Sequence, residues 1–155
     1  MKENRMKIKG LEHVAIAVTD LEAMMALFRD KLGLTLAGTE EFAESGARVA
    51  MYPVGNSQLE LVHSPKPDSM VSRWIACRGQ GLFHLCLEVE DLDGAMAELR
   101  AKGMHFLADR PRTGHAGSRI AFIDPECAQG LLIELAELPP TPGLKAPPSR
   151  TTAGR

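Results

Sequence analysis

Cysteine is scarce in this chain: Cys77, Cys86 and Cys127 among 155 residues, an odd number with no C-x-x-C spacing. That excludes a disulfide framework and a four-cysteine metal knuckle, and it suits free thiols in a reducing cytoplasm. Charge of one sign is also lacking. Eighteen Lys and Arg face twenty Asp and Glu, for a net charge of −2, so neither nucleic acid nor an anionic membrane is an expected partner. No apolar run approaches the ~20 residues that span a bilayer. The opening Met1-Lys2-Glu3-Asn4-Arg5-Met6-Lys7 has charge but no apolar segment behind it, against a secretory signal, and it holds an acid and no Ser, against a transit peptide. What remains is an ordinary globular composition, 45% hydrophobic and 25% charged, long enough for one domain with a real core. Residues 1–9 read as an N-terminal extension. Residues 138–155, with Pro139, Pro140, Pro142, Pro147 and Pro148, read as a disordered tail.

Between these ends the chain repeats itself. Moved along by 71 (84 − 13), residues 11–50 fall on 82–121 without a gap. His13 meets His84, Asp20-Leu21 meets Asp91-Leu92, Met25-Ala26 meets Met96-Ala97, and Arg48 meets Arg119. Each half opens with an alternating strand, 11–18 or 82–89, followed by an Asp in N-cap position. The helices carry apolar residues at i, i+3, i+4 and i+7: Leu21, Met24, Met25 and Phe28, then Leu92, Ala95, Met96 and Leu99. Gly33 and Gly103 stop them. Three strands follow in each half, at 34–42, 47–53 and 57–63 and again at 104–109, 118–123 and 130–136. The expected architecture is α+β, two tandem βαβββ modules in one domain spanning 10–137. Module 1 covers 10–64, a linking helix covers 68–78, and module 2 covers 81–137.

Each module places a His on its first strand and a Glu on its last: His13 and Glu60, then His84 and Glu134. Alternation puts all four opposite the large aliphatic stripe, on the face with small neighbours. Any one of them alone would be an ordinary strand residue. The pair recurring at equivalent places predicts two imidazoles and two carboxylates converging on a divalent metal, with positions left for substrate oxygens.

These residues resemble the vicinal-oxygen-chelate superfamily, which includes glyoxalase I, extradiol dioxygenases and antibiotic-resistance proteins. Within it, 11–23, 81–89, 130–135, Asp68-Ser69 with the helix after it, and Arg110-Pro111-Arg112-Thr113-Gly114 are similar to the methylmalonyl-CoA epimerase family. The resemblance implies a cupped sheet and one metal ion per chain on His13, Glu60, His84 and Glu134. Cobalt is favoured, and manganese, nickel and zinc suit the same ligands. It further implies an acyl-CoA substrate, a homodimer and a place in propionate metabolism. The implied reaction interconverts (R)- and (S)-methylmalonyl-CoA through an enolate, with Glu44 as one acid/base group and Glu134 as the other. Ser45, Phe83 and Asp124 depart from the family pattern, where Gln, His and His are common. The rival expectations are a glyoxalase I-like lactoylglutathione lyase with the same four ligands, and a non-catalytic small-molecule-binding protein of the bleomycin-resistance type.

Overall fold

The Asp after each opening strand starts the helix behind it. In the computed structural model, which describes residues 5–141, β1 (Ile8–Ala17) leads into α1 (Leu21–Asp30), and the Asp20 carboxylate accepts from the Ala23 amide at 3.0 Å. One repeat later β5 (Gly81–Val89) leads into α3 (Leu92–Ala101), and Asp91 accepts from the Gly94 amide at 3.0 Å. Both caps satisfy amides that the first helical turn leaves unpaired. Between the two units lie β2 (Gly38–Phe42), β3 (Ala47–Val54), β4 (Ser57–His63) and α2 (Met70–Arg78). After α3 come β6 (Arg112–Thr113), β7 (Arg119–Ile123) and β8 (Ile133–Glu137).

The eight strands form one curled mixed sheet in the order β2-β3-β4-β1-β5-β8-β7-β6. β1 pairs parallel with β4 and β5 parallel with β8, while β1 and β5 join the modules antiparallel at the centre. Ala15 stands opposite Glu60, and Cys86 opposite Glu134. Since 86 − 15 is again 71, the two glutamates occupy equivalent positions. A 3-10 turn at Pro125–Ala128 lies in the segment that holds module 2's extra residues.

Three apolar clusters follow from the curl. Val18, Leu21, Phe28, Ala50, Tyr52 and Leu61 pack beneath α1. Val89, Leu92, Met96, Leu99, Ala121 and Leu135 pack beneath α3. The third lies on the side of β1 that carries His13, where Ala15, Ala17, Val62, Phe83, Phe122 and Ala136 meet Val71 of α2.

The structure departs from the expected strands at four places, the simplest being the last strand, which begins at Ile133 rather than at 130. The segment 104–109 is not a strand; it makes one isolated bridge, Phe106 to Ile123. Arg100 takes the Asp109 carbonyl at 2.8 Å, Pro111 has no amide to give, and pairing resumes only at Arg112–Thr113. β2 starts at Gly38 rather than near 34, because the Leu34 amide bonds back to the Phe28 carbonyl at 3.0 Å and closes α1. β1 begins at Ile8, inside the expected extension. Residues 1–4 of that extension and 142–155 of the expected tail lie outside the described residues. Among the described residues no helix is long and apolar enough to cross a membrane.

Phe28 is 5% exposed and meets Tyr52 edge-on, ring centres 5.0 Å apart. Phe28→Ala is expected to cost about 3–5 kcal/mol and Asp20→Ala about 1 kcal/mol. Both are read from urea unfolding, and equal midpoints for the two variants would contradict this assignment of the core under α1.

Candidate functional site

The central β1–β5 pairing brings the two ligand-type histidines together. His13 Nε2 and His84 Nε2 stand 3.0 Å apart. His13 Nε2 lies 3.5 Å from a Glu60 oxygen and 3.8 Å from Glu134, and His84 Nε2 lies 3.6 Å from Glu134. Donors ~2.1 Å from a shared cation would be about 3.0 Å apart at a right angle and about 3.4 Å apart at the tetrahedral angle. The 3.0 Å between the histidines falls in that range, and the 3.5–3.8 Å from the histidines to the carboxylates lies just beyond its upper end. His13, His84 and Glu134 each offer a ligand atom within 4.8 Å of the others'; Glu60 joins through its contact with His13. All four side chains are buried.

Their electrostatics are those of a site with excess negative charge. Burial drives the Glu60 carboxyl up to about 7, against the attraction of His13 and helped by the like charge of Glu134. Burial also raises Glu134, again opposed by His13. It works against a charge on His13, but Glu12, Glu60 and Glu134 together outweigh it and lift the imidazole to about 9. His84, buried beside His13, is held neutral, well below the ordinary range. Crowded buried carboxylates around imidazole nitrogens are a donor set that a divalent cation would neutralise.

The site opens into a cavity of about 470 Å³. Glu60, His84 and Glu134 line it, and so does Glu44, which stands in the turn between β2 and β3. That turn is braced from α2's approach. Lys66 Nζ donates to the Glu44 carbonyl at 3.2 Å and Ser64 Oγ to the Ser45 carbonyl at 3.3 Å. Gly46 sits at φ +68° against the Lys66 stem, a conformation few other residues accept. The rim also brings distant parts of the chain together, since His115, after β6, pairs with Glu40 on β2 at 2.5 Å. The Ala116 amide adds a second bond to the same carboxylate at 3.2 Å.

Of the residues singled out in the sequence, His13, Glu60, His84 and Glu134 come together, and Glu44 faces the same cavity. Sequence reasoning missed Glu12, whose carboxylate meets His13 Nδ1, and the Glu40–His115 pair. Strand alternation sends residue 12 away from residue 13; a register shift between Leu11 and His13 cancels that rule. Cys86 does not line the cavity. It is fully buried, and burial, with the negative charge of Glu134 beside it, keeps its thiol protonated. Ser45 accepts from the Ala47 amide at 3.2 Å and Asp124 caps the turn before β8, accepting from Glu126 at 2.9 Å, so two of the three departures do local work.

Residues 12–122 match the model of the Glyoxalase/Bleomycin resistance protein/Dioxygenase superfamily. The mitochondrial methylmalonyl-CoA epimerase of Mus musculus is 32% identical over 132 residues, 84% of this chain and 74% of the relative. The crystal structure of methylmalonyl-CoA epimerase from Mycobacterium tuberculosis superposes with a TM-score of 0.83 at 35% identity, covering 90% of this chain and 94% of that one. A methylmalonyl-CoA epimerase in complex with methylmalonyl-CoA and NH4+ superposes with a TM-score of 0.82 at 33% identity, covering 91% and 100%. By model, sequence and fold alike, this chain belongs to the glyoxalase/bleomycin-resistance/dioxygenase superfamily and, within it, to the methylmalonyl-CoA epimerase family.

Proposed function

We propose that this protein is an isomerase that interconverts (R)- and (S)-methylmalonyl-CoA in the cytoplasm, as a homodimer. The observation that carries the reading is that Glu44 and Glu134 line one cavity beside the two histidines. Inversion at a carbon between two carbonyl groups needs a proton removed from one face and one delivered to the other. Two carboxylates sharing a cavity, one exposed on a turn and one buried, meet that need. In this reading Glu44 exchanges the proton on one face. Glu134, whose carboxyl burial has raised, serves the other.

His13, Glu60, His84 and Glu134 would hold one divalent cation, cobalt first and manganese, nickel or zinc with the same ligands. When bound, it supplies Lewis-acid stabilisation of the negative charge that develops on the thioester oxygen. The apolar lining of Phe42, Val49, Val62, Phe83, Ile120 and Phe122 keeps water from the α-carbon and strengthens the field of the carboxylates. A lactoylglutathione lyase would use similar proton chemistry, and an assay with the glutathione hemithioacetal separates it from this reading.

The test is either methylmalonyl-CoA epimer with protein and cobalt in deuterated water. Deuterium should enter the α-position as the stereocentre scrambles; no exchange with any of the four metals overturns the assignment. Glu44→Gln is expected to lower exchange by about 10²–10⁴-fold while cobalt binding is retained, and unchanged turnover would remove Glu44 from the reaction. Stripping with a chelator should abolish exchange. Restoring a cation at ~100 times its dissociation constant should raise the unfolding free energy by about 2.7 kcal/mol, read as a higher Tm. A Tm that ignores the cation would contradict the four-ligand site.

A further inference from the structure

The repeat that aligns His13 with His84 also aligns the residues around them, and there the two modules differ. The β1–β5 pairing skips a residue before each histidine. Leu11 pairs with Leu87 and His13 with Cys86, so Glu12 is passed over; Ala15 pairs with His84 and Ile16 with Leu82, so Phe83 is passed over. Such bulges re-aim neighbouring side chains. In module 1 the re-aimed residue is a carboxylate, in contact with His13 Nδ1. Its other oxygen accepts from Gln58 Nε2 at 3.0 Å, and Gln58 is the residue paired with His13 on β4. In module 2 the re-aimed residue is Phe83. Counting back two from Glu134, as Gln58 stands two before Glu60, the counterpart of Gln58 is Leu132. Among the described residues His84 Nδ1 is buried with no hydrogen-bond partner. Rings hold it instead, Phe83 at 4.9 Å and Phe122 at 5.1 Å between centres.

From this asymmetry we infer that Glu12, braced by Gln58, is a positioning residue that fixes His13 with its proton on Nδ1 and its Nε2 lone pair facing the metal site, whereas packing alone orients His84. A carboxylate can only accept, so Nδ1 donates, and Nε2, 3.5 Å from Glu60, is the nitrogen that gives up its proton when a cation binds. A carboxylate behind a ligating imidazole locks the ring angle and makes the ligand more basic. The two histidines are therefore unequal ligands.

This inference rests on the reading of His13 as a ligand, and zinc, which is diamagnetic, serves as the probe. Chelator competition should show zinc affinity falling about 10- to 100-fold in Glu12→Ala. Glu12→Gln should lose less, because its amide oxygen still accepts, and Gln58→Leu should fall several-fold. In the zinc-loaded wild-type protein, long-range ¹H–¹⁵N spectra should place a slowly exchanging proton on His13 Nδ1, and that signal should vanish in Glu12→Ala. His13→Ala separates the two claims. If it loses zinc while Glu12→Ala and Gln58→Leu bind within twofold of wild type, the positioning role is wrong and the ligand stands. If His13→Ala binds zinc as before, the ligand reading falls and the positioning role with it. Should Glu12→Ala fail to fold, the wild-type spectrum decides, since zinc seated on Nδ1 would overturn the inference by itself.

Discussion

Everything in this molecule turns on the antiparallel seam between β1 and β5. Other connections reinforce it: α2 lies over the seam, Lys7 and Lys9 pair with Glu90 and Glu88 at one end, Thr19 bonds to Gln80 at the other, and Glu40 meets His115 at the rim. Within the seam, backbone hydrogen bonds set His13 against Cys86 and Ala15 against His84, which puts two imidazole nitrogens 3.0 Å apart. The flanking parallel pairings then deliver Glu60 beside β1 and Glu134 beside β5. A slip by one residue would turn these side chains to the other face of the sheet. Register is thus the variable that creates the site, and the clusters under α1 and α3 resist such a slip.

The site stores electrostatic tension. Glu12, Glu60 and Glu134 surround two imidazoles, of which burial leaves only His13 charged. Glu60 and Glu134 pushed upward and His84 pushed downward are alike responses to burial, which disfavours the charged form of each group. Cys86 fits the same pattern: a thiolate buried there beside Glu134 would add to the negative charge, so the thiol remains protonated.

The order of elements, both helix caps and the equivalence of Glu60 and Glu134 were legible because each depends on local chemistry or on the period of the repeat. His13 and His84 could be paired from sequence because the shift of 71 runs without a gap from residue 11 to residue 50. The strand expected at 104–109 failed because only Met104 and Phe106 pack, half-buried, against the cluster under α3, Leu107 stays exposed, and Arg100 and Pro111 divert the backbone. Glu12 escaped notice for the same kind of reason. Alternation is a rule about regular strands, and a bulge leaves no signature in one sequence. Glu40 and His115, 75 residues apart, meet only because the sheet curls, a property of the whole that no window of sequence contains.

The seam also says something about ancestry. A lone βαβββ unit would expose the edge of its first strand, and a second identical unit, turned by a half rotation, would be its natural cover. Two separate copies of one chain could build such a cup, but symmetry would oblige them to carry the same residue before each histidine. Joining the copies in one polypeptide lifts that obligation. Glu12 on one side and Phe83 on the other are a pair that no symmetric assembly of identical halves could possess.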